Sequence, residues 1–224
     1  MGVPISKRAI ALSIAIGALS IVIVDVSLTE LTISRRVADV VYNGKRLSAL
    51  SSVEAASVEQ YAQEAQDVVM DGICRSEVVH AGVVPIMLAV DITSPDVDYD
   101  AWARALERAE IYMHAALQCL PTSGDTWLRM AMIKQAIGEN PQEIASLLEL
   151  SQHFSPSEGE LVFARLALWN RVEPPTMNLG RKALEKDIRA ACLDPTRMKE
   201  TSFSDRMKAV FFELAPQKCT AVRP

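Results

Sequence analysis

Aromatic residues are scarce in this chain. They make up 5% of its 224 residues, too few to build a surface on which single-stranded nucleic acid stacks. A basic block is missing as well: 28 acidic residues stand against 23 basic ones, for a net charge of −5. Nucleic-acid binding draws most of its affinity from neutralised phosphates, so no nucleic-acid partner is expected. No stretch alternates apolar and polar residues long enough to read as a strand. Gly-x-Ser-x-Gly, His-Glu-x-x-His, phosphate-cradling loops and Gly-x-Gly-x-x-Gly are all absent. His80, His114 and His153 are the only histidines, and none of the four cysteines forms Cys-x-x-Cys. His80 and His114 would leave any seam between Cys74 and Cys119 by helical rotation, so neither metal nor cofactor is expected.

What is present is an ordinary globular balance, 50% apolar and 23% charged. It excludes a disordered tail, a collagen-like rod and a polytopic membrane protein. One segment departs from that balance. Lys7 and Arg8 precede an uncharged, mostly apolar run from Ala9 to Val24. As a helix that run rises roughly 24 Å, short of a ~30 Å hydrocarbon core. Val26, Leu28 and Leu31 supply the missing length, with Asp25 near the far interface. A cleaved signal peptide wants an Ala-x-Ala-like site soon after its core. Asp25–Glu30 offers none, and Ala18-Leu19-Ser20 is followed by more apolar residues. The run therefore reads as an uncleaved anchor, and Lys7 and Arg8 favour a cytoplasmic N-terminus. That places a single-pass protein in the inner membrane with its C-terminal domain in the periplasm. Ala9, Ser13 and Gly17 recur every fourth residue and would let a second helix approach in the bilayer.

The rest reads as helix after helix, giving an all-α fold. Three parts are expected: the anchor at 1–34, a helical-repeat domain at 35–173 and a C-terminal helical pair at 174–224. Residues 50–70 suit a helix, and a second runs from about Cys74 to Val90, with Pro85 kinking it or ending its first part. Further helices span Tyr99–Leu120, Thr126–Ile137 capped by Asp125 or Thr126, and Asn140 to about His153. Gly138 suits a left-handed C-cap. Another helix covers Gly159–Asn170, and Glu173-Pro174-Pro175 is the clearest break. Asn178–Cys192 and Ser204–Leu214 follow it.

Cys74, Cys119, Cys192 and Cys219 all lie beyond the apolar run, where an oxidising compartment would allow disulfides. Four cysteines permit three pairings. An antiparallel hairpin favours Cys74–Cys119, and a tail folding back from Ala215 favours Cys192–Cys219.

Ala109, Met113, Ala116 and Pro121, followed by Trp127, Met130 and Ala131, resemble the tetratricopeptide repeat. Ala131 stands where that family has Gly, and Gly138 falls where a repeat's first helix ends. Ile144, Leu148, Ser151 and Pro156 continue the pattern, about one residue late against a 34-residue period. Lys134 replaces the usual aromatic, and the match covers about residues 100–169. More loosely, the layout is similar to membrane-anchored helical proteins associated with bacterial surface-polysaccharide assembly, through the Trp127–Leu128 and Leu166–Trp169 stretches. The resemblance implies a scaffold that presents helical repeats to a protein partner in the cell envelope. Trp102, Trp127, Arg129 and Trp169 are the candidate contacts, although tryptophans on helices mostly pack inside. An enzyme acting on cell wall or polysaccharide would instead use a carboxylate acid at Glu77 or Glu110. A cleaved, soluble periplasmic binding protein is the third reading. Arg181, Lys182, Lys186 and Arg189, with Glu185 and Asp187 interleaved, read as solvated local ion pairs.

Overall fold

A computed structural model describes residues 7–49, 54–215 and 219, with side chains left undescribed at 7–12, 14, 15, 199 and 200. Among the described residues the chain is helical, without strands. Eleven helices follow one another: α1 (Lys7–Ala49), α2 (Ala55–Met70), α3 (Ser76–Asp91), α4 (Tyr99–Cys119), α5 (Gly124–Ile137), α6 (Pro141–Phe154), α7 (Gly159–Trp169), α8 (Pro174–Leu179), α9 (Arg181–Ala191), α10 (Pro195–Glu200) and α11 (Asp205–Leu214). Apart from the short α8 and α10, each packs mainly on the next one or two along the chain.

Helix α1 is about 64 Å long at 1.5 Å per residue. Its first half is bare: every residue from Ile16 to Glu30 is exposed, including Leu19, Ile21, Val24 and Leu28. This part is apolar and long enough to cross a membrane. The side chain of Ala9 lies outside the described residues, whereas Ser13 is exposed and nothing approaches Gly17. The helix then continues unbroken across Ser34 and Arg35, because neither proline nor glycine interrupts it. Ile33, Val37, Val40, Gly44 and Leu47, at alternating steps of four and three, turn one face against the helices that follow. The exposed apolar half and the half that packs on the domain are one continuous helix.

Helix α2 returns along it and ends at Gly72, whose φ of +79° suits a residue without a Cβ. The Gly72 N–H donates to Val69 and the Ile73 N–H to Val68, which satisfies two end carbonyls. Arg36 pairs with Asp71 at 2.7 Å and Arg75 with Glu30 at 3.2 Å, fastening this turn to α1 near its exposed apolar half. Pro85 does not end α3, which runs on to Asp91 with Pro85 buried inside it. Proline removes the N–H that the Ala81 carbonyl would normally accept. That carbonyl instead faces α1 at Gly44, where an added Cβ would stand 2.4 Å from the Ala81 oxygen.

Three local expectations are corrected. Helix α5 is capped by the Ser123 hydroxyl, which accepts from the Thr126 N–H, rather than by Asp125 or Thr126. Gly138 does end α5, but in an extended conformation with φ 164°, not a left-handed one. The expected helix over Asn178–Cys192 is divided at Gly180, with Pro174 and Pro175 opening α8 instead of serving only as a break. The division has a visible cause. The Trp169 ring lies over Gly180 so closely that a Cβ there would overlap it.

Cys74 pairs with Cys119 at a Cα separation of 5.0 Å, and Cys192 with Cys219 at 5.4 Å. The first bridge joins the start of the α3 segment to the end of α4, across the hairpin. The second holds Cys219 against the end of α9.

Candidate functional site

Trp102, Trp127, Arg129 and Trp169 do not converge on one surface. Trp169 is fully buried at the end of α7, and its Nε1–H donates to Asp187 Oδ2 at 3.3 Å. Trp127 is half-buried at the start of α5, where its Nε1–H donates to the Pro121 carbonyl at 2.9 Å. Arg129, two residues further on, donates from Nε to Asp125 Oδ1 at 3.2 Å. Trp102 stands beside an open cavity.

Asp187, read as a solvated partner of neighbouring bases, is fully buried. Arg165 in α7, also fully buried, grips it through Nη2 at 2.7 Å and Nε at 2.9 Å. The remaining guanidinium nitrogen of Arg165 donates to Ser151 Oγ in α6 at 3.3 Å. Burial pushes the Asp187 carboxyl up, and hydrogen bonds from Arg165 and Trp169 draw it back. This network ties α6, α7 and α9 and is closed to solvent. Around it, Arg189 does pair locally with Glu185, while Arg181 reaches Glu213 in α11.

The carboxylates proposed for acid chemistry lie in ordinary settings. Glu77 is exposed in the first turn of α3. Glu110 pairs with Lys134 at 2.7 Å, and Lys134 also reaches Glu143 at 3.1 Å. Those two hydrogen bonds hold the Lys134 ammonium above the usual lysine value. Lys134 is thus an ionic tie across α4, α5 and α6. Among the described residues, no three His, Cys, Asp or Glu side chains are grouped to hold a metal.

Several cavities open on the surface. One of about 550 Å³ lies between α6 and α9 and is lined by His153, Lys182, Lys186 and Glu149. A second of about 370 Å³ separates α2 from α4, where Arg108 pairs with Glu59 at 2.6 Å and holds its carboxyl below the usual range. A smaller one concerns Trp102. Tyr99, Trp102 and Leu106 of α4 and Ile137 of α5 enclose about 220 Å³, flanked by Glu107 and Glu110. The Tyr99 and Trp102 rings stand 5.8 Å apart and tilted by 47°. Tyr99 is 64% exposed and Ile137 50%, so the apolar lining is open to solvent. Sequence reasoning reached Trp102 but missed Tyr99 and Ile137, which sit at helix ends and carry no periodic signal.

No family model matches the chain, and neither a curated protein nor a solved structure matches it.

Proposed function

We propose that this protein is a membrane-anchored scaffold whose helical domain stands in the periplasm and binds a protein partner of the cell envelope. The observation that carries this reading is the unbroken α1. One helix offers an exposed apolar half to the bilayer and packs its other half into the domain, so the domain is held rigidly at the membrane surface. Two disulfides in that domain support an oxidising compartment.

A tetratricopeptide-like stacking is the second element of the proposal. Hydrogen bonds recur between residues 34 apart: Glu139 with Glu173, Gln152 with Lys186, Asn170 with Ser204 and Val172 with Arg206. Stacked hairpins of a 34-residue repeat bring equivalent positions together in this way. The resemblance in layout makes surface-polysaccharide assembly the first setting in which to seek the partner.

The test is purification of the full chain from membranes in mild detergent. A stoichiometric envelope protein is expected to accompany it, and alkaline phosphatase fused after Leu214 is expected to be active. A chain that purifies alone, or an inactive fusion, would overturn the reading. Ile16→Lys is expected to release the protein from carbonate-washed membranes, since a central charge costs ~2.5–3.5 kcal/mol on insertion scales.

A further inference from the structure

The Arg36–Asp71 and Arg75–Glu30 pairs, together with the Cys74–Cys119 bridge, place one end of the helical layers beside the membrane half of α1. Helix α4 runs from Tyr99 to Cys119, so its first residue stands about 30 Å from that end at 1.5 Å per residue. Helix α5 runs the opposite way and brings Ile137 back to Tyr99. The aromatic groove therefore lies at the membrane-distal end of the domain, where a partner meets no bilayer.

Its chemistry is two-sided. The floor is apolar, made by Tyr99, Trp102, Leu106 and Ile137, and its volume of about 220 Å³ equals roughly seven waters at ~30 Å³ each. Space of that kind suits one large side chain. The flank is acidic. Glu107 and Glu110 line it, and Asp100 follows Tyr99 in the first turn of α4. Glu110 shares Lys134 with Glu143, whereas Asp100 and Glu107 have no ion-pair partner among the described residues. The basic residues of α4 are turned elsewhere: Arg104 and Arg108 line the cavity against α2, and Arg108 is paired with Glu59 there. An apolar pocket bordered by the unpaired Glu107, with Asp100 two turns away on the same helix, selects one class of occupant.

We infer that this groove docks a basic segment of the partner protein. The segment seats one aromatic or long aliphatic side chain between Tyr99, Trp102 and Ile137 and sets neighbouring Lys or Arg residues against Glu107 and Asp100. The exposed Tyr99, beside the half-buried Trp102, supplies large contact area at small entropic cost. The inference rests on the scaffold reading and adds to it the place of contact and the chemistry of the partner.

A photo-crosslinking amino acid tests it in the full-length protein within native membranes. The crosslinker replaces Tyr99 in one variant and Phe212, an exposed residue of α11, in another. The expected result is an adduct from position 99 whose attached peptide carries Lys or Arg beside an apolar side chain. Its yield should fall about fivefold or more with Glu107→Lys, a solvent-facing change, and should fall when salt rises from about 0.05 to about 0.5 M. An adduct at 99 with an acidic or uncharged segment, or one indifferent to Glu107→Lys, overturns the inference. Adducts from position 212 alone overturn it while leaving the scaffold reading intact. No adduct at either position, together with a chain that purifies alone, overturns both.

Discussion

The carbonyl oxygen of Ala81 and the α-carbon of Gly44 meet where α3 crosses α1. Each of two sequence features explains the other. Pro85 strips Ala81 of its helical hydrogen-bond partner, and Gly44 lets the neighbouring helix come near enough to cover the freed oxygen with a Cα–H. Gly44→Ala should therefore destabilise the domain by about 1–3 kcal/mol, because the two helix backbones must separate. Gly17→Ala serves as the comparison, since nothing lies within 4 Å of Gly17. Thermal unfolding in detergent is expected to fall for the first variant and stay unchanged for the second. Equal melting for both would show that α1 is not seated on α3 at Gly44.

Much of the architecture is legible because it rests on local chemistry. The apolar run ending at Val24 announces the first part of α1, Asn140-Pro141 announces α6 through a side-chain cap and a proline at the first turn, and Ser204 announces α11. What escapes the sequence depends on a distant partner. Pro85 reads as a helix breaker until Gly44 is beside it. Asp187 reads as a solvated acid among Lys186 and Arg189 until Arg165, 22 residues earlier, closes on it. Gly72 carries a readable stop signal for α2, and its left-handed turn was open to inference. The groove was half legible: Trp102 is a conspicuous residue, but only the antiparallel course of α5 brings Ile137 to it.

Arg165 and Asp187 form a buried pair whose value lies in being complete. Removing one partner leaves an uncompensated charge in the interior, which costs about 3–5 kcal/mol. Arg165→Met and Asp187→Leu are each expected to lose that much stability. The double variant should lose less than the two combined, because no charge is then stranded. Denaturant titration of the four proteins measures the coupling. Additive losses would mean that the two side chains act independently.

Lys134 gives the stability a dependence on alkaline pH. Its folded value is raised above the ordinary 10.5 by hydrogen bonds to Glu110 and Glu143. A raised value means that the folded state holds the proton more tightly, so its contribution is complete below about pH 10.5 and is lost as pH climbs through the folded value. The melting difference between wild type and Lys134→Gln should be constant from about pH 7 to about pH 9 and should shrink above about pH 10.5. A difference that grows with alkalinity would reverse the assignment.

The two disulfides close loops of unequal length. Sequence separations of 45 for Cys74–Cys119 and 27 for Cys192–Cys219 correspond, in the chain-entropy model, to about 4 and about 3.5 kcal/mol before any native strain. Their structural consequences differ more than those values. Cys74–Cys119 joins helices already packed in the core, whereas Cys192–Cys219 ties Cys219 back to α9, beyond the end of α11. Cys192→Ser with Cys219→Ser is therefore expected to leave the core folded while protease cleaves within α11. Replacing Cys74 and Cys119 should lower the melting temperature of the whole domain. Non-reducing peptide mapping of envelope-purified protein checks the premise, and limited proteolysis separates the two effects. Four free thiols in that material would remove both the bridges and the support they give to a periplasmic placement.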